Sequence, residues 1–291
     1  MANSRLALGT VQFGLDYGVA NATGRVEITN VKNILEQAFA NCVDTLDTAI
    51  DYGISESTLG QVGMCGWNVI TKLPAVPENC VNVAGWVDAQ VEGSLSRLGV
   101  SQLHGVLLHR PAQLLGDCGK DLSDALVRLK TKGVTRKIGV SVYGPEELAR
   151  LMSVMDIDLV QAPLNILDRR LLESGWAKKL NKQGIELHVR SVFLQGLLLL
   201  PTNSRPVKFS RWSGVWSEWT RWLGETELTP LQACLGFALS VKMIDKVVVG
   251  VDSVKQLNEI LAASQTSLPS LPNWGQPIDA DLINPGRWND L

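Results

Sequence analysis

The chain has 291 residues and is 45% hydrophobic, enough for a substantial core in one large domain or two. Its 27 basic and 29 acidic residues give a formal charge of −2 with no long block of either sign. That distribution argues against a nucleic-acid or anionic-membrane partner and makes a small molecule the expected one.

The start, MANSRLALGT, lacks the basic region and apolar run of a signal peptide, and no later stretch is apolar enough to span a bilayer. The expectation is a cytoplasmic protein. Five scattered cysteines (Cys42, Cys65, Cys80, Cys118, Cys234) without a C-x-x-C pair, in a chain with three histidines, predict reduced structural thiols and no bound metal.

Short apolar segments alternate with helix-length amphipathic ones from the first residues to about residue 263. Strands are predicted at 5–11, 43–48, 68–71, 105–108, 137–140, 159–161, 186–190 and 246–249. Helices are predicted at about 29–41, 55–64, 80–98, 121–132, 145–155, 169–183, 229–241 and 253–263. Pro145 and Pro230 suit first helical turns, and Gly133 and Gly184 stand where helices should stop.

Eight βα units in one series predict an α/β protein, a single-domain (β/α)8 TIM barrel over 1–291. A doubly wound sheet is the weaker alternative, because no G-x-G-x-x-G follows any strand. The rhythm breaks at 199–228, after strand seven, where Trp212, Trp216, Trp219 and Leu223 recur at helical spacing. A helix packed on the barrel is expected there, and a lid over the substrate mouth is the competing reading. The extension 264–291, with Pro269, Pro272, Pro277 and Pro285, reads as an extended wrap ending in Trp288 and closing one mouth.

Chemistry in such barrels gathers at the C-terminal strand ends. Strand two ends at Asp47, its loop carries Tyr52, strand three runs into Lys72, and strand four ends at His109. A carboxylate at a strand tip needs a cation or donors to satisfy it. A phenol, with an ordinary pKa of about 10, needs a neighbouring cation to serve as an acid near neutrality. Asp47 would keep Lys72 protonated, Lys72 would assist proton release from Tyr52, and His109 would help place a carbonyl oxygen. Asp44 and Asp51 are taken as structural or solvated.

The segments LALGTVQFG, DTAIDYGISE, ITKLP, LLHRP, IGVSVYGPEEL, VQAPLNILDRR, FLQGLL and VVVGVDSVKQLNEIL, in this order over about 5–263, resemble the aldo-keto reductases. The resemblance implies a barrel that binds NADPH, with NADH as a second possibility, and reduces an aldehyde or ketone. It puts Asp47, Tyr52, Lys72 and His109 in the places of the family's catalytic tetrad. It assigns Ser141 and Gln161 to the nicotinamide carboxamide, and Gly9, Thr10 and Gln12 to the first strand end near the ring. It assigns Ser191, Leu194 and Gly196 to the pyrophosphate, and Gly250, Val251, Asp252, Ser253, Gln256 and Glu259 to the adenosine end, where helix N-termini favour phosphate.

Three departures stand out. Val142 follows Ser141 where the family usually has asparagine. Arg190 stands where many members stack an aromatic ring on the nicotinamide, so its guanidinium is expected either to stack or to face an anionic or hydroxyl-rich substrate. The adenosine loop carries Asp252 and only Lys255 as a nearby cation, which predicts weak preference for a 2′-phosphate.

A cofactor-binding regulatory subunit with little turnover is an alternative, as is a lyase or isomerase of the same architecture using Lys72 as a Schiff base. A monomer or weak homo-oligomer is expected, since no coiled-coil or strand-edge signal is present.

Overall fold

The computed structural model describes residues 2–21, 23–271 and 278–291. Eight strands close into a parallel barrel in chain order: β1 (Leu6–Gly9), β2 (Thr45–Asp47), β3 (Asn68–Leu73), β4 (Leu103–Leu108), β5 (Thr135–Ser141), β6 (Leu159–Pro163), β7 (Glu186–Arg190) and β8 (Lys246–Gly250). The strands are almost continuously apolar because helices cover the outer face and side chains fill the interior. Ile70, Leu107 and Leu159, from β3, β4 and β6, form a small cluster separate from the main core and fill the barrel's centre. The first strand is shorter than 5–11 because Val11–Phe13 turns as a 3-10 helix that buries Phe13.

The helices are α1 (Ile28–Ala40), α2 (Ser55–Val62), α3 (Val83–Leu98), α4 (Gly119–Thr131), α5 (Leu148–Leu151), α6 (Arg170–Glu173), α7 (Trp176–Lys182), α8 (Ser213–Thr226), α9 (Pro230–Ser240), α10 (Val254–Ala263) and α11 (Ala280–Ile283). In α1, Val31, Ile34, Leu35 and Ala38 recur on one face and are buried against the barrel. Thr229 and Gln232 form a capping box ahead of Pro230, which fixes the start of α9. Two predicted helices come out shorter. The segment 145–155 is a 3-10 turn followed by the single turn of α5. The segment 169–183 is broken between α6 and α7 at Gly175, whose backbone is left-handed.

The insertion folds as the packed helix. Trp216, Trp219 and Trp222 of α8 are buried, and Trp216 and Trp222 donate to the carbonyls of Phe209 and Ser270. The extension is not simply extended: α11 and a 3-10 turn at Pro285–Asp290 bury Trp288. Pro272 and Pro277 lie outside the described residues.

At the N-terminal end of the barrel Glu186 of β7 bonds His104 of β4, His188 and Lys137 of β5. Two of the three histidines are thus committed far from the opposite mouth. The five cysteines are free thiols. Among the described residues no helix is long and apolar enough to cross a membrane.

Candidate active site

Parallel register brings the C-terminal strand ends to one rim. Gly9 lies opposite both Asp47 and Gly250, Ser141 opposite Gln161, and Pro163 opposite Arg190. On that rim Lys72 Nζ donates to Asp47 Oδ2 at 2.7 Å, to the Thr48 carbonyl at 2.9 Å and to the Tyr52 hydroxyl at 3.5 Å. Lys72 is 1% exposed and Asp47 4%. Burial alone would drive the lysine to lose its proton, but the Asp47 carboxylate and the Tyr52 oxygen outweigh it, so the Lys72 pKa is raised. The other carboxylate oxygen, Asp47 Oδ1, accepts from Gln161 Nε2 at 2.7 Å, and Ser141 Oγ donates to Gln161 Oε1 at 3.2 Å.

Tyr52 is held by its loop. Gly53 takes a left-handed φ of 56°, and the loop after β1 presses against it. A Cβ on Gly14 would stand 1.8 Å from the Tyr52 carbonyl oxygen, so only glycine fits there. Beneath the loop, Ser55 Oγ bonds Thr10 Oγ1 and the Thr10 carbonyl at 2.9 Å and Thr48 Oγ1 at 3.1 Å, a buried hydroxyl cluster that anchors the start of α2.

His109 follows β4 and packs edge-on to the Tyr52 ring, with centroids 5.8 Å apart. Burial, then the charges of Lys72 and Arg110, push its pKa from 6.5 down to about 4, so the ring is neutral at physiological pH. Asp51, expected to be solvated, is half-exposed with Oδ2 3.6 Å from His109 Nδ1, beyond hydrogen-bond distance. Next to His109, Arg110 Nη1 donates to the Tyr143 hydroxyl at 2.7 Å. Arg190 donates to the Val142 carbonyl at 2.9 Å and to Ser191 Oγ at 3.2 Å, and its Cζ lies 5.2 Å from the Tyr143 ring centroid.

These groups open into a cavity of about 640 Å³, within the range of roughly 300–1,000 Å³ usual for cofactor and small-molecule sites. Of the residues singled out in the sequence, Asp47, Tyr52, His109, Gly9, Thr10, Gln12, Ser141, Gln161, Arg190, Ser191, Gly196, Gly250, Asp252, Gln256 and Glu259 line it. Lys72 lies beneath its floor. Leu194 and Val251 are fully buried in the core, and Ser253 caps α10 by accepting from the Gln256 backbone N–H. These last three do not line the cavity.

Sequence reasoning passed over Tyr17, Tyr143, Arg110 and Gln195, all on the cavity wall. The chain has three tyrosines, and all of them line this one cavity. The rarity of tyrosine was the signal available. Tyr17 and Gln195 meet across the mouth, Gln195 Nε2 donating to the phenol oxygen at 3.0 Å. The tail contributes Pro285 and Gly286 to the wall, while of the insertion at 199–228 Leu199 lines it and the tryptophans of α8 do not.

The wall suits a nicotinamide dinucleotide. Gln12 Oε1 and Asp252 Oδ1 are buried acceptors with no partner among the described residues, as ribose hydroxyls would require. Among the described residues no three His, Cys, Asp or Glu side chains cluster as metal ligands would.

Comparison with known proteins identifies a family and a shared fold. The model of the aldo/keto reductase family matches residues 5–271. Pyridoxal reductase, chloroplastic, of Arabidopsis thaliana is 33% identical over 148 residues, 42% of this chain and 39% of that protein. The chain thus matches well under half the length of that relative. Among solved structures, the holo form of aldo-keto reductase AKR11C1 from Bacillus halodurans superposes with a TM-score of 0.70 at 21% identity, covering 91% of this chain and 88% of the other. Glycerol dehydrogenase AKR11B4 from Gluconobacter oxydans gives 0.69 at 20% identity with the same coverage. At such identities these two speak for the fold.

Proposed function

The chain belongs to the aldo/keto reductase family, whose model spans most of its length, and on that premise we propose that it reduces an aldehyde or ketone to an alcohol with NAD(P)H. The carrying observation is the Lys72 ammonium, which donates to both Asp47 and Tyr52 at the floor of the cavity.

The bound cofactor would supply the hydride. Ser141 and Gln161 would hold its carboxamide end, Ser191 and Gly196 its pyrophosphate, and Gln12, Asp252, Gln256 and Glu259 its adenosine end. Tyr52 protonates the carbonyl oxygen. As the proton leaves, Lys72 stabilises the phenolate; at 3.5 Å the gross attraction is about 5 kcal/mol at an effective dielectric of 20. Asp47 keeps the lysine charged. Neutral His109 orients the oxygen by hydrogen bonding, without competing as an acid. A Schiff base on Lys72 is disfavoured, because a buried amine with a raised pKa has no free lone pair near neutrality.

The adenosine end carries Asp252 and Glu259, while Lys255 is exposed and lies 4.0 Å from Glu259. Little there favours a 2′-phosphate, so NADH should serve within about tenfold of NADPH, the 1.4 kcal/mol of one weak contact.

The test follows reduced-nicotinamide absorbance with a panel of aldehydes, pyridoxal included for the sake of the plant relative. Wild type should turn over. Tyr52→Phe should lose about 10²–10⁴ in kcat while fluorescence titration shows the cofactor still bound. Cofactor binding without turnover in wild type would instead favour the regulatory-subunit reading.

A further inference from the structure

The cavity is electrically lopsided. At the β8–α10 end the charged lining side chains are Asp252 and Glu259; at the end near Tyr52 and His109 they are Asp47, whose charge is met by Lys72, and the two arginines Arg110 and Arg190. Both guanidiniums lie against the Tyr143 ring, with Cζ atoms 5.9 and 5.2 Å from its centroid. The contacts of these two arginines run to neutral groups: the Tyr143 hydroxyl and the His109 carbonyl for Arg110, the Val142 carbonyl and Ser191 Oγ for Arg190. Neither has a carboxylate within 4.0 Å among the described residues, whereas Arg97, Arg128, Arg170, Arg211, Arg221 and Arg287 each have one.

Two like charges at one ring repel each other unless an anion completes the set. We propose that the substrate carries an anionic oxygen group, a carboxylate or a phosphate, which Arg110 and Arg190 bind beside Tyr143 while its carbonyl faces Tyr52 and His109. The proposal rests on the carbonyl-reductase reading and names its substrate class. Three features support it. Arg190 is tied at two points and so is oriented before substrate arrives, which limits the entropy lost on binding. Arg110 directly follows His109 on the rim, placing it on the side where the carbonyl must lie. Burial is the main cause of the depressed His109 pKa, and Lys72, Arg110 and Arg190 lower it further against the opposing Asp47 charge, so both arginines act on the ring beside which the carbonyl would sit.

The experiment compares matched aldehydes. One pair is 4-carboxybenzaldehyde and its methyl ester, whose formyl group is intrinsically more electrophilic, so that the bias runs against the proposal. The other is glyceraldehyde 3-phosphate and glyceraldehyde. In wild type at least one anionic member should exceed its neutral partner by tenfold or more in kcat/KM, mainly through KM, and the larger ratio identifies carboxylate or phosphate. In Arg110→Gln and Arg190→Lys that ratio should fall towards one.

Calorimetry of 4-(hydroxymethyl)benzoate against benzyl alcohol on the protein–NADPH complex gives a readout independent of turnover. Ratios within twofold of one in wild type, or unchanged in both variants, overturn the anion site. So does an Arg190→Lys effect confined to the cofactor's Kd. Arginine-dependent binding of the benzoate with no aldehyde reduced would support the anion site and overturn the reductase reading; reduction of neutral aldehydes without anion preference would do the reverse.

Discussion

In Lys72→Met the Asp47 carboxylate, 4% exposed, keeps a single strong partner, the Gln161 amide at 2.7 Å. At the 2.7 Å separation of the native pair the lost attraction is roughly 6 kcal/mol gross at an effective dielectric of 20. Water entry and local relaxation should reduce the net loss to about 3–5 kcal/mol, the range for removing one half of a buried ion pair. Because the Lys72 pKa is raised in the folded state, the pair's contribution is present in full below the ordinary lysine pKa and is lost only as pH rises through the folded value. Measurements at pH 7 therefore sample the whole effect. The assay is equilibrium urea unfolding followed by tryptophan fluorescence, with Trp219 fully buried as a reporter. Asp47→Asn in the Lys72→Met background should recover most of the loss, because it removes the stranded charge. If the two substitutions instead add to within about 0.5 kcal/mol, the carboxylate is not at the end of β2 on account of the lysine, and the reasoning fails.

The His109 ring gives a pH prediction. A lowering from 6.5 to about 4 corresponds to about 3 kcal/mol at 1.36 kcal/mol per pH unit. The unfolded chain binds a proton there that the folded one refuses, so stability should fall as pH drops from 6.5 to 4. Urea midpoints of wild type and His109→Gln across that window should show the variant losing less; parallel curves would count against a buried neutral ring. Gly14→Ala should force the β1 loop off Tyr52, whose carbonyl oxygen would lie 1.8 Å from the new Cβ. We expect kcat to fall at least tenfold, about 1.4 kcal/mol, with the far-ultraviolet circular dichroism retained, and unaltered turnover would show that the loops can part without harm.

The barrel and the Asp47, Tyr52, Lys72 and His109 set were legible in the chain for one reason. A parallel barrel puts every strand's C-terminal end on the same face, so polar residues that end successive apolar runs must converge. Strand period, capping residues and strand-end position are local properties, and they placed all eight strands within a few residues. The two shortened helices show the limit of that locality, since a left-handed Gly175 ended a run that periodicity would have continued.

The role of Gln161 was not local. Its amide reaches Asp47 because β6 and β2 face each other across the interior, 114 residues apart in the chain. The same holds for Tyr17 against Gln195, for Arg110 against Tyr143, and for Pro285 on the cavity wall. Which loops meet over a barrel mouth depends on their lengths and mutual packing, for which no residue spacing is a code. The chain alone therefore determined the scaffold and the polar residues at its strand ends, while tertiary packing decided the walls around them and the meeting of the two arginines at Tyr143.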